Sequence, residues 1–278
     1  MEKVKILVAC HKPSTVFQDD VYTPIHVGKA LSSYQMNMIG DDTGDNISVK
    51  NPMYCELTAE YWGWKNLYDV EYIGLCHYRR YFETKITNDN IVDLLGNKYD
   101  VMLVDPMVIR YSAGTHLLYG VSIEDISIFV TCIKEIYPEY YHQLCSYLKS
   151  NKLIPYNMFV MKKKLFDQFA EWQFSVLNSM EKYVKLSNYT RMRRIYGYLG
   201  EVLLPLWCKY RGLHIRYDGV IPMIGEKRAL SCKYILSKCF NRLAFQLQLA
   251  NLKWINTSSV IVGLQNDGIY DESGSLKK

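Results

Sequence analysis

The sequence predicts an α/β fold in which a parallel or mixed β-sheet is flanked by helices. Short β-branched apolar runs, typical of buried strands, alternate with longer segments whose apolar residues recur every three or four positions. Of the 278 residues 49% are apolar and 22% are charged, and no low-complexity block interrupts the pattern, as expected of a globular chain. Because ligands bind beside the carboxyl ends of the strands in such sheets, we expect a site in the loops that follow the strands.

Apolar segments bounded by turn-forming residues predict strands over residues 4–9, 36–39, 72–76, 101–104, 156–161 and 215–217. Helical periodicity predicts helices over residues 54–65, 123–136, 140–148, 165–180 and 200–210. The composition changes after Glu226, because residues 227–266 include six basic residues and no acidic one. We therefore predict one main domain over residues 1–226 and a basic, amphipathic helical tail over residues 227–278.

Composition and motifs exclude several classes of function. The net charge of +5 is modest; it suits an anionic ligand and gives no reason to expect nucleic acid. The chain has no GxxxxGK[ST] or GxGxxG loop, no HExxH motif and no GxSxG elbow, and none of its eight cysteines forms a CxxC pair. The first apolar run is too short for a signal peptide or a membrane span, so we expect a cytoplasmic protein with reduced thiols.

Polar residues follow the first two predicted strands. His11 and Lys12 come directly after the first strand, and Asp41, Asp42 and Asp45 lie in the turn after the second. Carboxylates are strong hydrogen-bond acceptors that suit the hydroxyls of a ribose or the edge of a nucleobase. Clustered Asp, Gly and Asn are also typical of a plain surface turn. The functional interpretation is that these five residues line a nucleotide pocket.

The third predicted strand ends in HYRRYF, residues 77–82. Successive residues of a strand point to opposite faces, so Arg79 and Arg80 are not expected to lie together on one solvated face. Guanidinium groups bind phosphate through paired hydrogen bonds and keep their charge. Together with His77 they predict a diphosphate site at the edge of the sheet. The alternative is a pair of arginines that bind neighbouring acids.

Three further polar residues stand in or beside apolar segments. Glu201 heads the predicted helix 200–210, close to the arginine-rich segment 191–194; it is a candidate general base or an acid that stabilises a helix start. Asp218 is the second candidate for the base. Asn157, beside Tyr156 in a predicted strand, needs hydrogen-bond partners, which either the core or a bound sugar would provide.

The order of these motifs resembles that of inverting GT-A glycosyltransferases of family 2. Those enzymes place an Asp-rich turn after the second strand, an Asp-x-Asp metal site at the end of a later strand and a catalytic acid at the start of a helix. DDTGDNIS and Glu201 are similar to the first and the last of these, whereas HYR stands in place of Asp-x-Asp.

A closer resemblance covers residues 1 to about 225. The strings TGDNIS, KNPMYCELTAEYWGWKN, YIGLCHYRRYF, YNMFVMKKKLFD and GYLGEVLL resemble a bacterial family first catalogued as a domain of unknown function. Its members belong to capsule, lipopolysaccharide and exopolysaccharide gene clusters. Val202 stands where that family has an arginine after the acid.

This resemblance implies a GT-A-like mixed sheet with a C-terminal helical appendage, and a glycosyltransferase that uses a UDP-sugar, for which galactofuranose is one candidate. It implies a glycan or lipid-linked glycan as acceptor. Glu201 is then the base of an inverting reaction, with Tyr156 and Asn157 near the sugar. Because Arg79, Arg80 and His77 replace the metal ligands, no metal cofactor is expected. The competing class is a non-catalytic nucleotide-sugar or glycan-binding protein, which needs no base.

The predicted tail mixes basic and apolar residues near helical spacing between residue 227 and about residue 254. Such a helix can lie on an anionic membrane surface, at the inner face where a lipid-linked acceptor would be found. Alternatively, its apolar face packs on the main domain.

Overall fold

The computed structural model describes residues 2–225, residue 236 and residues 258–277. Its strands, numbered in chain order, are β1 (Glu2–Cys10), β2 (Tyr22–His26), β3 (Ile39–Gly40), β4 (Val70–His77), β5 (Tyr81–Phe82), β6 (Val101–Val104), β7 (Met107–Val108), β8 (Lys152–Leu153), β9 (Phe159–Lys162), β10 (Ile215–Asp218) and β11 (Val220–Ile221). Its α-helices are α1 (Asn51–Tyr54), α2 (Leu57–Asn66), α3 (Ile91–Leu94), α4 (Ala113–Leu117), α5 (Ile123–Ile136), α6 (Pro138–Lys149), α7 (Lys163–Met180), α8 (Thr190–Arg193), α9 (Ile195–Tyr210) and α10 (Ser258–Asn266).

Seven strands form a central mixed sheet in the order β10-β6-β9-β4-β1-β2-β3. Strand β9 runs antiparallel to its neighbours β4 and β6, and the other adjacent pairs are parallel. The short pairs β5–β11 and β7–β8 are antiparallel and separate from this sheet. The predicted mixed sheet flanked by helices is confirmed, and the carboxyl ends of β1 to β4 meet at one edge.

The centre of the sheet is buried on both faces because β1 and β4 consist mainly of apolar residues. Ile6, Val8 and Ile73 are almost completely inaccessible to solvent. Helix α2 packs on both strands and α7 packs on β4, and α7 also contacts α5 and α9. The helices therefore extend one core from the sheet to α9, the helix that carries Glu201.

Several boundaries agree with the sequence prediction and one strand does not. The predicted helix 123–136 coincides with α5, and the predicted strand 101–104 with β6. The strand predicted over residues 36–39 is wrong, because only Ile39–Gly40 pairs with the sheet. The strand beside β1 is instead β2, which contains Pro24. Proline lacks the backbone donor of a strand residue and argues against a strand in sequence.

Three boundaries near the carboxyl edge also differ. The predicted helix 54–65 is interrupted at Cys55, whose φ of 55° ends α1 before α2 begins. Tyr156 and Asn157, predicted as strand, have φ values of 83° and 51°, and β9 begins only after them. Helix α9 begins at Ile195 rather than at residue 200. Each difference changes which side chains reach the edge of the sheet.

The last described segment, residues 258–277, packs on the main domain. The Tyr270 hydroxyl lies 2.9 Å from Ser127 Oγ and 2.7 Å from Thr131 Oγ1, both on α5. The Leu276 backbone N–H donates a 2.8 Å hydrogen bond to the carboxylate of Glu135. Apart from Leu236, the predicted basic helix lies outside the described residues, so its membrane contact and the domain boundary at residue 226 remain predictions. Among the described helices, none has the length and apolar character that crossing a membrane requires.

Candidate active site

A cavity of about 610 Å³ lies at the carboxyl ends of β1 and β4. Its volume is within the range of roughly 300–1,000 Å³ that is usual for small-molecule sites. Its walls come from the ends of β1 and β2, the break between α1 and α2, the turn after β4, Tyr156, and the segment that leads into α9. Its arginine, glutamate and histidine side chains are His11, Glu56, His77, Arg79, Arg80, Arg193, Arg194 and Glu201. The cavity thus combines a cluster of arginines with two carboxylates.

Three of the four arginines of this cavity contact aromatic rings or sulfur, and Arg193 donates hydrogen bonds to the Ser187 and Asn188 carbonyls. The Arg80 guanidinium lies 4.3 Å from the centre of the Tyr156 ring, and that of Arg79 lies 4.9 Å from the centre of the Tyr78 ring. Arg194 Nε donates a 3.1 Å hydrogen bond to the sulfur of Cys55. Within the described residues, neither Arg79 nor Arg80 forms an ion pair with an acid. Their charges are therefore available to an anionic ligand.

Strand β4 ends at His77, and the rest of the HYRR segment forms a tight turn. The backbone N–H of Arg80 donates to the His77 carbonyl at 2.8 Å, and the N–H of His77 donates to the Arg80 carbonyl at 3.1 Å. This pairing closes a two-residue loop of Tyr78 and Arg79. The prediction that Arg79 and Arg80 are successive strand residues on opposite faces is therefore wrong. Arg79 is exposed at the tip of the turn, and Arg80 is half-buried. Both nevertheless line the cavity.

The two histidines of the cavity are held in the neutral form. Burial, followed by the charge of Arg80, lowers the pKa of His77 to about 3. Burial, followed by the charge of Lys12, also lowers the pKa of His11. A neutral His77 adds no positive charge to the arginine cluster, and its contact with a diphosphate remains a prediction. A neutral imidazole at this position is suited to a hydrogen bond with a ligand, which leaves the positive charge to the guanidinium groups.

Glu201 lies in the second turn of α9, half-buried at the cavity wall. Arg194, Tyr198 and Glu201 are spaced so that they share one face of the helix. Burial, followed by the nearby carboxylate of Glu56, raises the pKa of Glu201 to about 7, against the lowering effects of a hydrogen bond from the Tyr156 backbone and of the charges of Arg80 and Arg194. A carboxyl group with a pKa near neutrality exchanges protons readily at physiological pH, as a general base requires. Because α9 begins at Ile195, the alternative role of Glu201 at a helix start is not supported.

Glu56 lines the cavity and is not among the site residues that the sequence predicts. It lies at the break between α1 and α2, directly after Cys55. Asn157 Nδ2 donates hydrogen bonds of 2.9 Å to Glu56 Oε1 and 2.9 Å to the Gly197 carbonyl of α9. The uninterrupted periodicity of residues 54–65 gave no sign of this break. Glu56 and Glu201 therefore form a pair of carboxylates in one cavity.

The two candidate sugar-contacting residues have different positions. Tyr156 lines the cavity and lies beneath Arg80. Asn157 is buried behind Glu56, and its amide hydrogen bonds go to the protein. Its Oδ1 atom is buried without a partner among the described residues. A direct contact between Asn157 and a sugar remains a prediction, whereas its contact with Glu56 is observed.

The other candidates lie outside the lining of the cavity. Asp41 is fully buried and accepts hydrogen bonds from the backbone of Gly28 and Lys29 and from the Ser48 hydroxyl, so its carboxylate stabilises its own loop. Asp42 and Lys12 are exposed.

Asp45 is also exposed, and its carboxylate accepts a hydrogen bond from the Tyr61 hydroxyl at 3.2 Å. Asp218, the second candidate for the base, accepts hydrogen bonds from the backbone and hydroxyl of Thr84. Nucleotide contacts by Lys12 and these aspartates remain predictions.

The end of β4 does not present the ligands of a divalent cation. The side chains of the HYRR turn are an imidazole, a phenol and two guanidinium groups, and carboxylates are the ligands that magnesium and manganese prefer. Among the described residues, no group of three or more His, Cys, Asp and Glu side chains is arranged to hold a metal ion.

Two comparisons relate the chain to known proteins. The family model described as "Domain of unknown function (DUF4422)" matches residues 5–212. The fold is similar to that of a solved structure described as "WbbM bifunctional glycosytransferase apo structure", with a TM-score of 0.71 and 27% sequence identity. The alignment covers 83% of this chain and 48% of that one, so this chain corresponds to about half of that protein. No curated protein matches the chain.

Proposed function

The chain belongs to the DUF4422 family, and on that premise we propose that it is a nucleotide-sugar glycosyltransferase. The likeness to a glycosyltransferase of known structure supports this class of enzyme. In the finer form of the proposal, the donor is a UDP-sugar, with galactofuranose as the first sugar to test. The reaction inverts the anomeric carbon, needs no metal ion, and extends a glycan or lipid-linked glycan of capsule, lipopolysaccharide or exopolysaccharide at the inner face of the membrane.

The observation that carries the proposal is the pairing of arginines and carboxylates in one cavity. Arg79, Arg80, Arg193 and Arg194 line the same space as Glu56 and Glu201. A nucleotide-sugar donor has a diphosphate that calls for cations, and the acceptor has a hydroxyl that must lose its proton. A cavity that contains both arginines and carboxylates can bind the diphosphate of the donor and take the proton of the acceptor hydroxyl.

The chemical step follows from these positions. Glu201 takes the proton of the acceptor hydroxyl, and the oxygen attacks the anomeric carbon of the donor. The bond between that carbon and the diphosphate oxygen breaks, and its electron pair leaves with the nucleoside diphosphate. The arginines stabilise the negative charge that develops there, as fixed cations in a partly buried site do effectively. Attack opposite to the leaving group inverts the anomeric carbon.

Glu56 and Asn157 have supporting roles in this account. The carboxylate of Glu56 disfavours a second negative charge on Glu201, which raises the pKa of Glu201. Asn157 links Glu56 to α9 and so fixes the separation of the two carboxylates. Asn157 is in this sense a positioning residue, and a direct contact between Asn157 and the sugar remains a prediction.

The competing function is a protein that binds a nucleotide sugar or a glycan without catalysis. The arginines and the aromatic residues of the cavity suit that function equally well. The half-buried Glu201, with its pKa raised to about 7, favours catalysis, because a binding protein gains nothing from a carboxyl group that titrates near neutrality.

A panel of UDP-, GDP- and CMP-sugars tests the proposal in two steps. Ligands that bind the folded protein raise its melting temperature, so the first step is a thermal shift for each donor. The second step is a transfer assay with each donor that stabilises the protein, using simple glycosides as acceptors. A rise in Tm followed by product formation supports the enzyme. Binding of a donor without turnover, toward any acceptor or water, supports the binding protein.

A further inference from the structure

A second, smaller cavity of about 210 Å³ adjoins the larger one. Tyr198 and Glu201 line both cavities, so Glu201 lies where the two cavities meet. The remaining wall comes from α4 and the loop after it, from β8 and from the start of α8 and α9. This wall includes His116, Leu117, Tyr119, Leu153, Arg191 and Val202.

The wall of this cavity is fixed by backbone hydrogen bonds. The N–H of Ala113 donates to the Ser150 carbonyl at 2.7 Å, and the N–H of Ile109 donates to the Asn151 carbonyl at 2.9 Å. Ser112 caps α4 by accepting a hydrogen bond from the N–H of Thr115 at 3.1 Å. The cavity is therefore preformed, as ligand sites usually are.

Aromatic rings border the cavity. Tyr119 is 61% exposed, and its ring centre lies 5.6 Å from that of His116. The loop that follows α4 lies directly against Tyr198: a Cβ atom on Gly120 would come within 2.5 Å of the Tyr198 ring. Glycine permits this close approach, which keeps Tyr198 between the two cavities.

The chemistry of the lining differs from that of the larger cavity. Of the arginines in the described part of the chain, only Arg191 lines it, and its surface there is otherwise mainly apolar and aromatic. Its volume is below the roughly 300–1,000 Å³ that is usual for sites of drug-sized ligands, which suits a small group such as one sugar ring. Aromatic side chains offer such a ring a flat apolar surface, and one carboxylate, that of Glu201, can accept a hydrogen bond from one of its hydroxyls.

We propose that the smaller cavity binds the terminal sugar ring of the acceptor, with the hydroxyl that reacts directed at Glu201. The assignment rests on the glycosyltransferase function proposed above. A sugar held between Tyr119 and Tyr198 reaches Glu201 without entering the arginine cluster that serves the donor. After Glu201 removes its proton, the acceptor oxygen attacks the donor in the neighbouring cavity.

The test compares Tyr119→Ala, Tyr119→Phe and the control Tyr68→Ala. Tyr119 and Tyr68 are both exposed, so none of these changes is expected to affect folding, which melting curves verify. The binding of methyl glycosides of galactose, glucose, mannose and rhamnose is measured by saturation-transfer difference NMR with UDP present. UDP affinity is measured separately by calorimetry.

We expect Tyr119→Ala to weaken binding of the preferred glycoside about tenfold, a loss in line with one aromatic contact. Tyr119→Phe keeps the ring and is expected to bind like the wild type, as is Tyr68→Ala, and UDP affinity stays unchanged in all three. Glycoside binding that survives Tyr119→Ala, or no glycoside binding by the wild type, would overturn the assignment. Glycoside binding that depends on Tyr119, in a protein that transfers no sugar, would uphold the assignment and contradict the transferase.

Discussion

Asn157 donates a 2.9 Å hydrogen bond to the carboxylate of Glu56. The same amide nitrogen donates to the Gly197 carbonyl of α9, so one side chain connects the break between α1 and α2 to the helix that carries Glu201. Asn157 has a φ of 51°, a backbone conformation that asparagine tolerates better than most residues. The spacing of the two carboxylates therefore depends on the local conformation of the chain before β9.

The close packing of α9 on Asn157 predicts that Gly200 cannot be enlarged. A Cβ atom there would lie 2.8 Å from Asn157 Oδ1 and 3.0 Å from the Leu57 side chain. We expect Gly200→Ala to lower the melting temperature and the turnover together, because α9 must move away from Asn157. The matched control is Gly263→Ala in α10, where a Cβ atom meets open space. Alanine there is expected to stabilise slightly through helix propensity, by up to about 1 kcal/mol. Equal melting temperatures for Gly200→Ala and the wild type would contradict this packing argument.

The carboxylate pair predicts the pH dependence of the enzyme. The base acts in its ionised form, and the pKa of Glu201 is raised to about 7. The kcat/KM is therefore expected to rise with pH through about 7 and to level off above it. Glu56→Gln removes a negative charge near Glu201. We therefore expect the rise in kcat/KM to occur at lower pH in this variant. If the rise in kcat/KM occurs at the same or a higher pH in Glu56→Gln, the electrostatic coupling of Glu56 and Glu201 is contradicted.

The same pKa shift predicts how stability depends on pH. The usual pKa of 4.5 for Glu201 is raised in the folded protein, so its burial costs stability only where the unfolded chain would ionise it. This cost is absent below about pH 4.5, grows as the pH rises toward 7 and levels off above it. We expect Glu201→Gln to melt at a higher temperature than the wild type at pH 8 and at a similar temperature at pH 4.5. A melting-temperature difference that is the same at both pH values would contradict the shift.

The arginine cluster predicts the affinity for the nucleotide. We expect Arg79→Ala to weaken binding of UDP itself, since loss of a hydrogen bond to a charged group costs about 1.5–3 kcal/mol. Arg211→Ala is the control, because Arg211 is exposed and lies over the ring of Trp207, as Arg79 is exposed and lies over the ring of Tyr78, but Arg211 does not line the cavity. Titration calorimetry gives the affinities. Unchanged UDP binding in a folded Arg79→Ala protein would assign Arg79 a structural role.

Much of this site follows from sequence, and the parts that do not have identifiable causes. The sequence predicts Arg79 and Arg80 because they follow a buried strand and Glu201 because it heads an apolar helix, and all three line the cavity. Glu56 was not selected, because the break at Cys55 depends on a positive φ that side-chain periodicity does not reveal. The sequence predicts a later start for α9 than the structure has, because Gly197 and Gly200 have low helix propensity. In the folded protein their lack of side chains lets the helix pack on Cys55 and Asn157.

The composition of the turn after β4 predicts that activity does not require a metal ion. HYR, residues 77–79, stands where the GT-A enzymes that the sequence resembles have Asp-x-Asp, and on the proposed function the guanidinium groups of Arg79 and Arg80 stabilise the leaving diphosphate directly. Transfer, or hydrolysis of the donor, is expected to continue in excess EDTA at an unchanged rate. Loss of activity in the chelator, followed by recovery with manganese, would contradict this prediction.

The central claim is that Glu201 is the base, and Glu201→Gln tests it most directly. Glutamine keeps the shape of the side chain and cannot take a proton. We expect turnover to fall by about a hundredfold or more, the usual contribution of a general base, while the affinity for UDP stays close to that of the wild type. Wild-type turnover in a folded Glu201→Gln protein would contradict the account.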